Sequence, residues 1–471
     1  LAGKLPFSVP KGKRAIGRPS PRLSFTFPKI AMQKSALLVL LCALSTLGGY
    51  AQRPRQLVYT SDIDNFWVAY DSIRTTTDSA KQLRYLNRYY IDKGTAGLRA
   101  FMEVKQYTPQ EWVNSIRQYP RFWNSIRPNT QLAKTAANDI EPYLKKLAAL
   151  YPALRPAGLY FTIGALRSSG TTKADMVLIG AEMATGNPGI DFSEFPTNTQ
   201  AFLSRYFKSQ PLKNLVVLNV HEYVHTQEKG PPESDLLAQA LYEGTCDLVA
   251  ELVTGKLPLL PYVAYGPAHE AELKEQFKRD MFAPYLRNWF YNQLSDDPHH
   301  VPDLGYYMGY AICKAYYQRA KNKKEAVRQL LELDYTDAKA VEALLRASAY
   351  YPALPGKEQL LAAYEQSRPR VTNVTPTIPV DGLLDASVKE IRIEFSAVMA
   401  PYTGTDYGSG GKAEWPVAGR GSFTPDKKSY VYPVALQPGR TYSFLLNGGG
   451  FRSADGRPLV AYEVKFKTRE Q

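Results

Sequence analysis

Two short stretches limit what this chain can fold into more than anything else in it: His221-Glu222-Tyr223-Val224-His225 and, farther along, Glu243-Gly244-Thr245-Cys246-Asp247. Residues four apart on a helix share one face at about 6 Å, so the imidazoles of His221 and His225 can converge on one small cation. Glu222 then projects toward an open coordination position. Two imidazoles leave a tetrahedral zinc ion incomplete, and Glu243 is the nearest carboxylate able to complete it, from a second helix running back antiparallel beside the first. Asp247, one turn beyond Glu243, can accept from the outer nitrogen of a ligating histidine and so fix its tautomer and ring orientation.

The flanks favour this over an ordinary amphipathic helix. Leu215, Val216, Val217, Leu218 and Val220 form an almost continuous apolar run before the motif, so the helix is expected to be buried, where unpaired His and Glu are costly. A solvated Glu243 and Asp247 would be like charges one turn apart, which is mildly destabilising. The first helix should begin near Pro211 and stop at Lys229-Gly230-Pro231-Pro232, and the second should start on Ser234 or Asp235 as N-cap. Gly244 removes a side chain where the two helices are expected to approach closely.

A His-Glu-x-x-His with a downstream Glu-Gly-x-x-Asp resembles the gluzincin group of zinc metallopeptidases, and more closely a bacterial set of predicted secreted zinc-dependent proteases. The resemblance covers residues 61–367. It implies an α+β, zincin-like, mostly helical domain in which His221, His225 and Glu243 hold one zinc ion, Glu222 is the general base and Asp247 orients a ligand. A counterpart of the substrate-binding Asn motif and downstream catalytic His found in that group is not evident. In the bacterial set a Gly-Tyr-x-x-Gly-Tyr segment recurs after the ligands, and here Gly305-Tyr306-Tyr307-Met308-Gly309-Tyr310 fits it. Tyr306 and Tyr310 are one turn apart and are candidate donors to a developing oxyanion, with His299 and His300 as rivals. The runs 159–165 and 176–181, flanking the turn-rich 167–172, read as a hairpin. Residues 177–181 are the candidate edge strand for pairing with an extended peptide.

Charge needs correcting before it excludes anything. The whole chain has 58 Lys and Arg against 44 Asp and Glu, a net of +14. Met32, Lys34, an apolar core over 36–47 and Gly49-Tyr50-Ala51 match a secretory signal over 32–51, which makes residues 1–31 either an upstream non-native extension or a basic leader. Eight of the basic residues and none of the acidic ones lie in 1–51, leaving 50 against 44, a net of +6, over the rest. That supports neither nucleic-acid binding nor an anionic surface. Outside the signal no run is long enough for a membrane span, so an exported protein, periplasmic or extracellular, is expected. Cys42 lies in the signal core without the small preceding residue of a lipoprotein cysteine. Cys246 and Cys313 are open to pairing in an oxidising compartment, or to burial as two thiols.

Two folded regions follow. Residues 52–368 are rich in helical periodicity, and Phe66-Trp67, Tyr85, Tyr89-Tyr90, Trp112 and Phe122-Trp123 read as packing residues. Ser367-Arg368-Pro369-Arg370, continued by Thr375-Pro376-Thr377-Ile378-Pro379, reads as an extended linker making few shared contacts. Over 372–471, alternation through Ile391, Ile393 and Phe395, and turns at Pro-Gly and Asp-Gly, predict an all-β sandwich that resembles bacterial immunoglobulin-like domains. Such a domain is open to a cell-surface or glycan contact. The expected activity is peptide or protein hydrolysis by a secreted zinc enzyme. The alternative is a cell-envelope binding or adhesion protein whose zinc site is structural or inactive.

Overall fold

The computed structural model describes residues 57–232, 235–292, 300–379 and 381–470. The expectations for residues 1–51, and those for Ser234 and His299, lie outside the described residues. The chain divides into two compact units, one of residues up to 138 with 156–184, the other of 139–155 with 185 onward. The region expected as one metalloprotease domain over 52–368 contributes to both.

The first unit carries α1 (Ser61–Ile73), α2 (Ser79–Leu86), α3 (Ala96–Lys105), α4 (Pro109–Gln118) and the start of α5 (Pro120–Leu150). Three of its helices, α2, α3 and α4, start where side chains satisfy free amides. Asp78 accepts from the amides of Ala80 and Lys81, Thr95 accepts from that of Leu98, and Thr108 with Glu111 forms a capping box ahead of Pro109. Phe66, Trp67, Tyr90, Trp112, Phe122 and Trp123 are buried, and Tyr85 stacks on Tyr89 nearer the surface.

Four strands follow the order β1 (Val58–Tyr59), β2 (Gly158–Thr162), β4 (Met176–Gly180), β3 (Gly170–Lys173). The expected hairpin between residues 159–165 and 176–181 is not formed. β2 and β4 pair in parallel, and Thr171-Thr172, a β-branched pair inside the supposed turn, extends as β3 antiparallel to β4. The reversal falls instead at Ala174-Asp175, where Ala174 takes φ 51°. β4 is therefore internal, with both backbone edges paired, and β3 and β1 are the edge strands. A short α6 (Ala181–Ala184) follows, and its Glu182 carboxylate, fully buried, accepts from the amides of Gly164 at 2.8 Å and Leu166 at 3.2 Å. Burial outweighs these bonds and raises its pKa to about 7.

The second unit contains α7 (Thr197–Lys208), α8 (Pro211–His225), α9 (Leu236–Thr254), α10 (Pro261–Ala268), α11 (Glu270–Asp280), α12 (Leu304–Arg319), α13 (Lys323–Leu331), α14 (Ala338–Ser348) and α15 (Lys357–Ser367). Pro211 opens α8, and Asp235 caps α9 through the amide of Ala238. α9 is the buried axis of this unit: every residue from Leu236 through Ala250 is enclosed. The glycine in it serves a different neighbour from the one expected. A Cβ on Gly244 would stand 2.1 Å from the carbonyl carbon of Gly309, and one on Gly309 would stand 1.7 Å from the carbonyl oxygen of Ala240. Gly244 thus lets α9 cross α12, not α8.

The C-terminal strands form two four-stranded sheets. One has the order β5 (Val371–Thr375), β7 (Glu390–Phe395), β10 (Ser429–Pro433), β9 (Ser422–Phe423); the other has β6 (Leu383–Leu384), β12 (Tyr462–Thr468), β11 (Thr441–Leu446), β8 (Thr405–Tyr407). Period-two alternation sends Ile391, Ile393 and Phe395 inward, into one core shared with Tyr432, Phe444, Val464 and Phe466. The linker is shorter and less free than expected, because β5 already begins at Val371. The Arg368 guanidinium donates to the carbonyls of Pro458 and Leu459, each at 3.0 Å, and the Val460 amide donates to the carbonyl of Pro369. Those bonds tie residues 368–369 to the β11–β12 connection.

Candidate metal centre

α8 ends on its functional residues. His221 and His225 stand on consecutive turns, their ring centroids 4.9 Å apart and their planes nearly perpendicular at 82°, and α9 carries Glu243 and Asp247 on the face that meets them. Glu243 Oε2 lies 3.4 Å from His221 Nε2 and 3.2 Å from His225 Nε2. Bonds of about 2.0–2.1 Å to a tetrahedral zinc ion require ligand atoms roughly 3.3 Å apart, so these two separations match the edges of such a site. His221 Nε2 is also a buried nitrogen lacking any hydrogen-bond partner in good geometry, as an atom suited to a cation would be. The donor set, two imidazoles and one carboxylate, is that of catalytic zinc sites with an open fourth position.

The outer nitrogens are held on both rings. His221 Nδ1 faces Asp247 Oδ1 at 2.8 Å, as expected, and Tyr262 donates to the other Asp247 oxygen at 2.8 Å. His225 Nδ1 faces Glu228 Oε2 at 2.7 Å, and Tyr335 donates to Glu228 Oε1 at 3.1 Å. Gln239, one turn before Glu243, donates to Glu243 Oε1 at 3.0 Å. Glu228, Gln239, Tyr262 and Tyr335 were not anticipated from the sequence. The i, i+3 spacing of His225 and Glu228 and the i, i+4 spacing of Gln239 and Glu243 were available signals; the two tyrosines, on other elements, had none.

Three buried carboxylates share this volume with two imidazoles, so the cluster demands positive charge. Burial by itself would lower the His225 pKa, yet the charge of Glu243 and the bond to Glu228 raise it to about 10. Burial likewise pushes Glu243 up, but the charge of His225 and the close approach of both imidazoles bring it well below the usual carboxylate range. A divalent cation meets the same demand with both imidazoles neutral.

Cys246 competes for the third ligand position. Its Sγ and one nitrogen from each histidine lie within 4.8 Å of one another. The nitrogen it meets, however, is His225 Nδ1 at 3.2 Å, which already faces Glu228, and burial followed by the charges of Glu228, Glu243 and Asp247 drives the thiol pKa well above its ordinary value. Glu243 is the better ligand on both counts. Cys246 and Cys313 are both free and buried, with Cys313 Sγ 3.5 Å from Thr245 Oγ1.

The expected oxyanion donors separate. The Tyr310 hydroxyl donates to Glu251 Oε2 at 2.8 Å and also contacts the Lys314 ammonium. Glu251 lies two turns along α9 from Glu243, about 12 Å, so Tyr310 is committed away from the histidines. Tyr306 is buried between Tyr262, 5.4 Å away, and Phe290, 5.2 Å away, with the His221 ring at 6.2 Å. His300 Nε2 is engaged with the Asn292 carbonyl at 2.8 Å. A tyrosine outside the expected segment is better placed: Tyr291, 44% exposed, whose hydroxyl lies 3.4 Å from the same Gln239 amide nitrogen that holds Glu243. Its backbone sits at φ 58°, and Asp303 accepts from its amide at 2.8 Å. Desolvation, then the charges of Glu243, Asp303 and Glu222, raise its pKa and keep the hydroxyl protonated.

No family model and no curated protein matches this chain. Among solved structures it aligns with the N-terminal part of the bacterial S-layer protein SbsC, at 11% identity over 50% of this chain and 78% of that one, with a TM-score of 0.18. A longer structure of the same S-layer protein aligns at 14% identity over 60% of this chain and 42% of that one, with a TM-score of 0.17. Overlaps of that size establish neither a shared fold nor a shared function.

Proposed function

We propose that this chain is an exported zinc metallopeptidase of gluzincin type, with His221, His225 and Glu243 as metal ligands. The observation that carries the reading is the convergence of His221 Nε2 and His225 Nε2 on Glu243 Oε2 at 3.4 and 3.2 Å, with each outer nitrogen facing a buried carboxylate. Zinc held there supplies a Lewis acid that lowers the pKa of water toward about 7. Glu222, on the helix between the two ligands, takes the proton of the attacking water and returns it to the leaving amine. Asp247 and Glu228 hold the imidazoles in the tautomer that leaves Nε2 as a lone-pair donor. The Tyr291 hydroxyl, rather than that of Tyr306 or Tyr310, donates to the oxygen on which negative charge develops. Export rests on the signal-like segment over 32–51.

The C-terminal sheets favour an immunoglobulin-like reading of that region. Labelled A to G, the strand order is A-B-E-D in one sheet and G-F-C in the other, with β6 a detached piece of the first strand running parallel to the last. The Gln437 amide donates to the hydroxyl of Tyr442, near the start of the F-like strand, at 2.8 Å, which is the form of a tyrosine corner. A binding protein with a structural metal site fits less well, because such a site closes on four ligands and has no use for a carboxylate between the histidines.

The test is metal content and cleavage of denatured casein by the purified chain from residue 52. One zinc per chain, with hydrolysis abolished by a chelator and restored by zinc, is expected. Zinc without hydrolysis would favour the binding protein, and no zinc would remove both readings.

A further inference from the structure

The segment between α11 and α12, the end of α15 and the loop between β11 and β12 line an open cavity of about 420 Å³, within the size range of small-ligand sites. Three arginines line it, Arg287, Arg368 and Arg452, against one carboxylate, Glu365. Arg368 is spent: it pairs with Glu365 at 2.8 Å and donates to the carbonyls of Pro458 and Leu459. Among the described residues neither Arg287 nor Arg452 has an ion-pair partner. The Arg452 guanidinium lies over the Tyr285 ring, 4.9 Å from its centre, and has one long contact, 3.5 Å, to the Gly448 carbonyl. The Tyr285 hydroxyl is shielded from solvent and lacks a hydrogen-bond partner. A buried hydroxyl normally finds a partner, and two uncompensated guanidiniums beside it favour an oxyanion.

We propose that this cavity binds the acid group of an anionic sugar. Arg287 and Arg452 neutralise a carboxylate or phosphate, Tyr285 donates to one of its oxygens, and Pro284, Pro458 and Tyr364 supply apolar walls for the ring. The cavity draws on the helical region and on the sandwich together, so its ligand would tie one to the other. The proposal stands apart from the metal centre and needs no activity there.

Calorimetric titration of the full chain tests it with four probes: glucuronic acid, glucose 6-phosphate, inorganic phosphate and glucose. At low salt an acidic sugar should bind with Kd on the order of 1 mM or tighter and neutral glucose should not, and high salt should weaken binding. Preference for glucuronic acid or for glucose 6-phosphate identifies a carboxylate or a phosphate as the natural group. Arg452→Gln should weaken binding about tenfold or more, and Tyr285→Phe by a smaller factor. Arg287 is exposed, so Arg287→Gln, with melting unchanged, serves as the variant that will fold. Failure of both acidic sugars to bind, or wild-type affinity in both Arg287→Gln and Arg452→Gln, overturns the site. Inorganic phosphate binding as tightly as glucose 6-phosphate overturns its sugar-binding part.

Discussion

His225 Nδ1 faces Glu228 Oε2 at 2.7 Å, and the Tyr335 hydroxyl anchors the other oxygen of that carboxylate at 3.1 Å. The second histidine is therefore oriented as firmly as the first, by a residue on the turn directly after its own helix. Glu228→Gln should leave the fold intact while lowering zinc affinity about 10- to 100-fold, with Tyr335→Phe moving it less in the same direction. Competition against a chromophoric chelator measures both, and wild-type affinity in Glu228→Gln would show that the carboxylate does not orient His225.

Third-ligand identity separates Glu243 from Cys246. Zinc should be lost in His221→Ala, His225→Ala and Glu243→Ala and kept in Cys246→Ala, as read by metal analysis after dialysis. Retention in Glu243→Ala with loss in Cys246→Ala would reverse the assignment.

For the general base, Glu222→Gln should keep one zinc per chain and the wild-type melting temperature while activity falls by about 10² to 10⁴. An amide cannot take the proton. Comparable activity in wild type and variant would exclude the mechanism proposed here.

The donor prediction contrasts two tyrosines. Tyr291→Phe should lower kcat by roughly 10² with little change in KM. Tyr310→Phe should leave kcat near wild type and cost stability, since it strips a partner from Glu251. If the kinetic loss appears in Tyr310→Phe instead, Tyr291 is not the donor.

Glu182 makes the first unit sensitive to pH. Its pKa is raised from 4.5 to about 7 in the folded chain, so the native state holds the proton more tightly than the unfolded state. Its stabilising contribution is complete below pH 4.5 and is lost as pH rises through 7, on the order of 3 kcal/mol in all. Amide exchange at Gly164 and Leu166, which donate to this carboxylate, should accelerate over that window beyond its intrinsic pH dependence. In Glu182→Gln that excess should vanish, and its persistence would assign the effect to another group.

What could be read from the chain was local. Four-residue spacing put His221 with His225 and Glu243 with Asp247, cap residues placed the start of α9 at Ser234 or Asp235, and alternation put Ile391, Ile393 and Phe395 on one face. The hairpin expectation failed because Arg167 through Thr172 looks like a turn by composition, while Thr171 and Thr172 find a ladder partner in β4. Tyr310 departs from expectation for a related reason. Spacing says that Tyr306 and Tyr310 share a face of α12, but not which residues of α9 that face meets, and Gly244 against Gly309 sets the crossing so that Tyr310 reaches Glu251.

The sequence by itself determined the residue types, the helix faces and the caps, because these depend on atoms within a turn or two of one another. Only the tertiary structure decided that Glu243 Oε2 meets both Nε2 atoms, that Tyr262 and Tyr335 lock the carboxylates behind the rings, and that Tyr291 shares Gln239 with Glu243. Those contacts join residues as many as 107 positions apart. They are set by how closely buried helices can approach, a property of packed volume that no periodicity along the chain encodes.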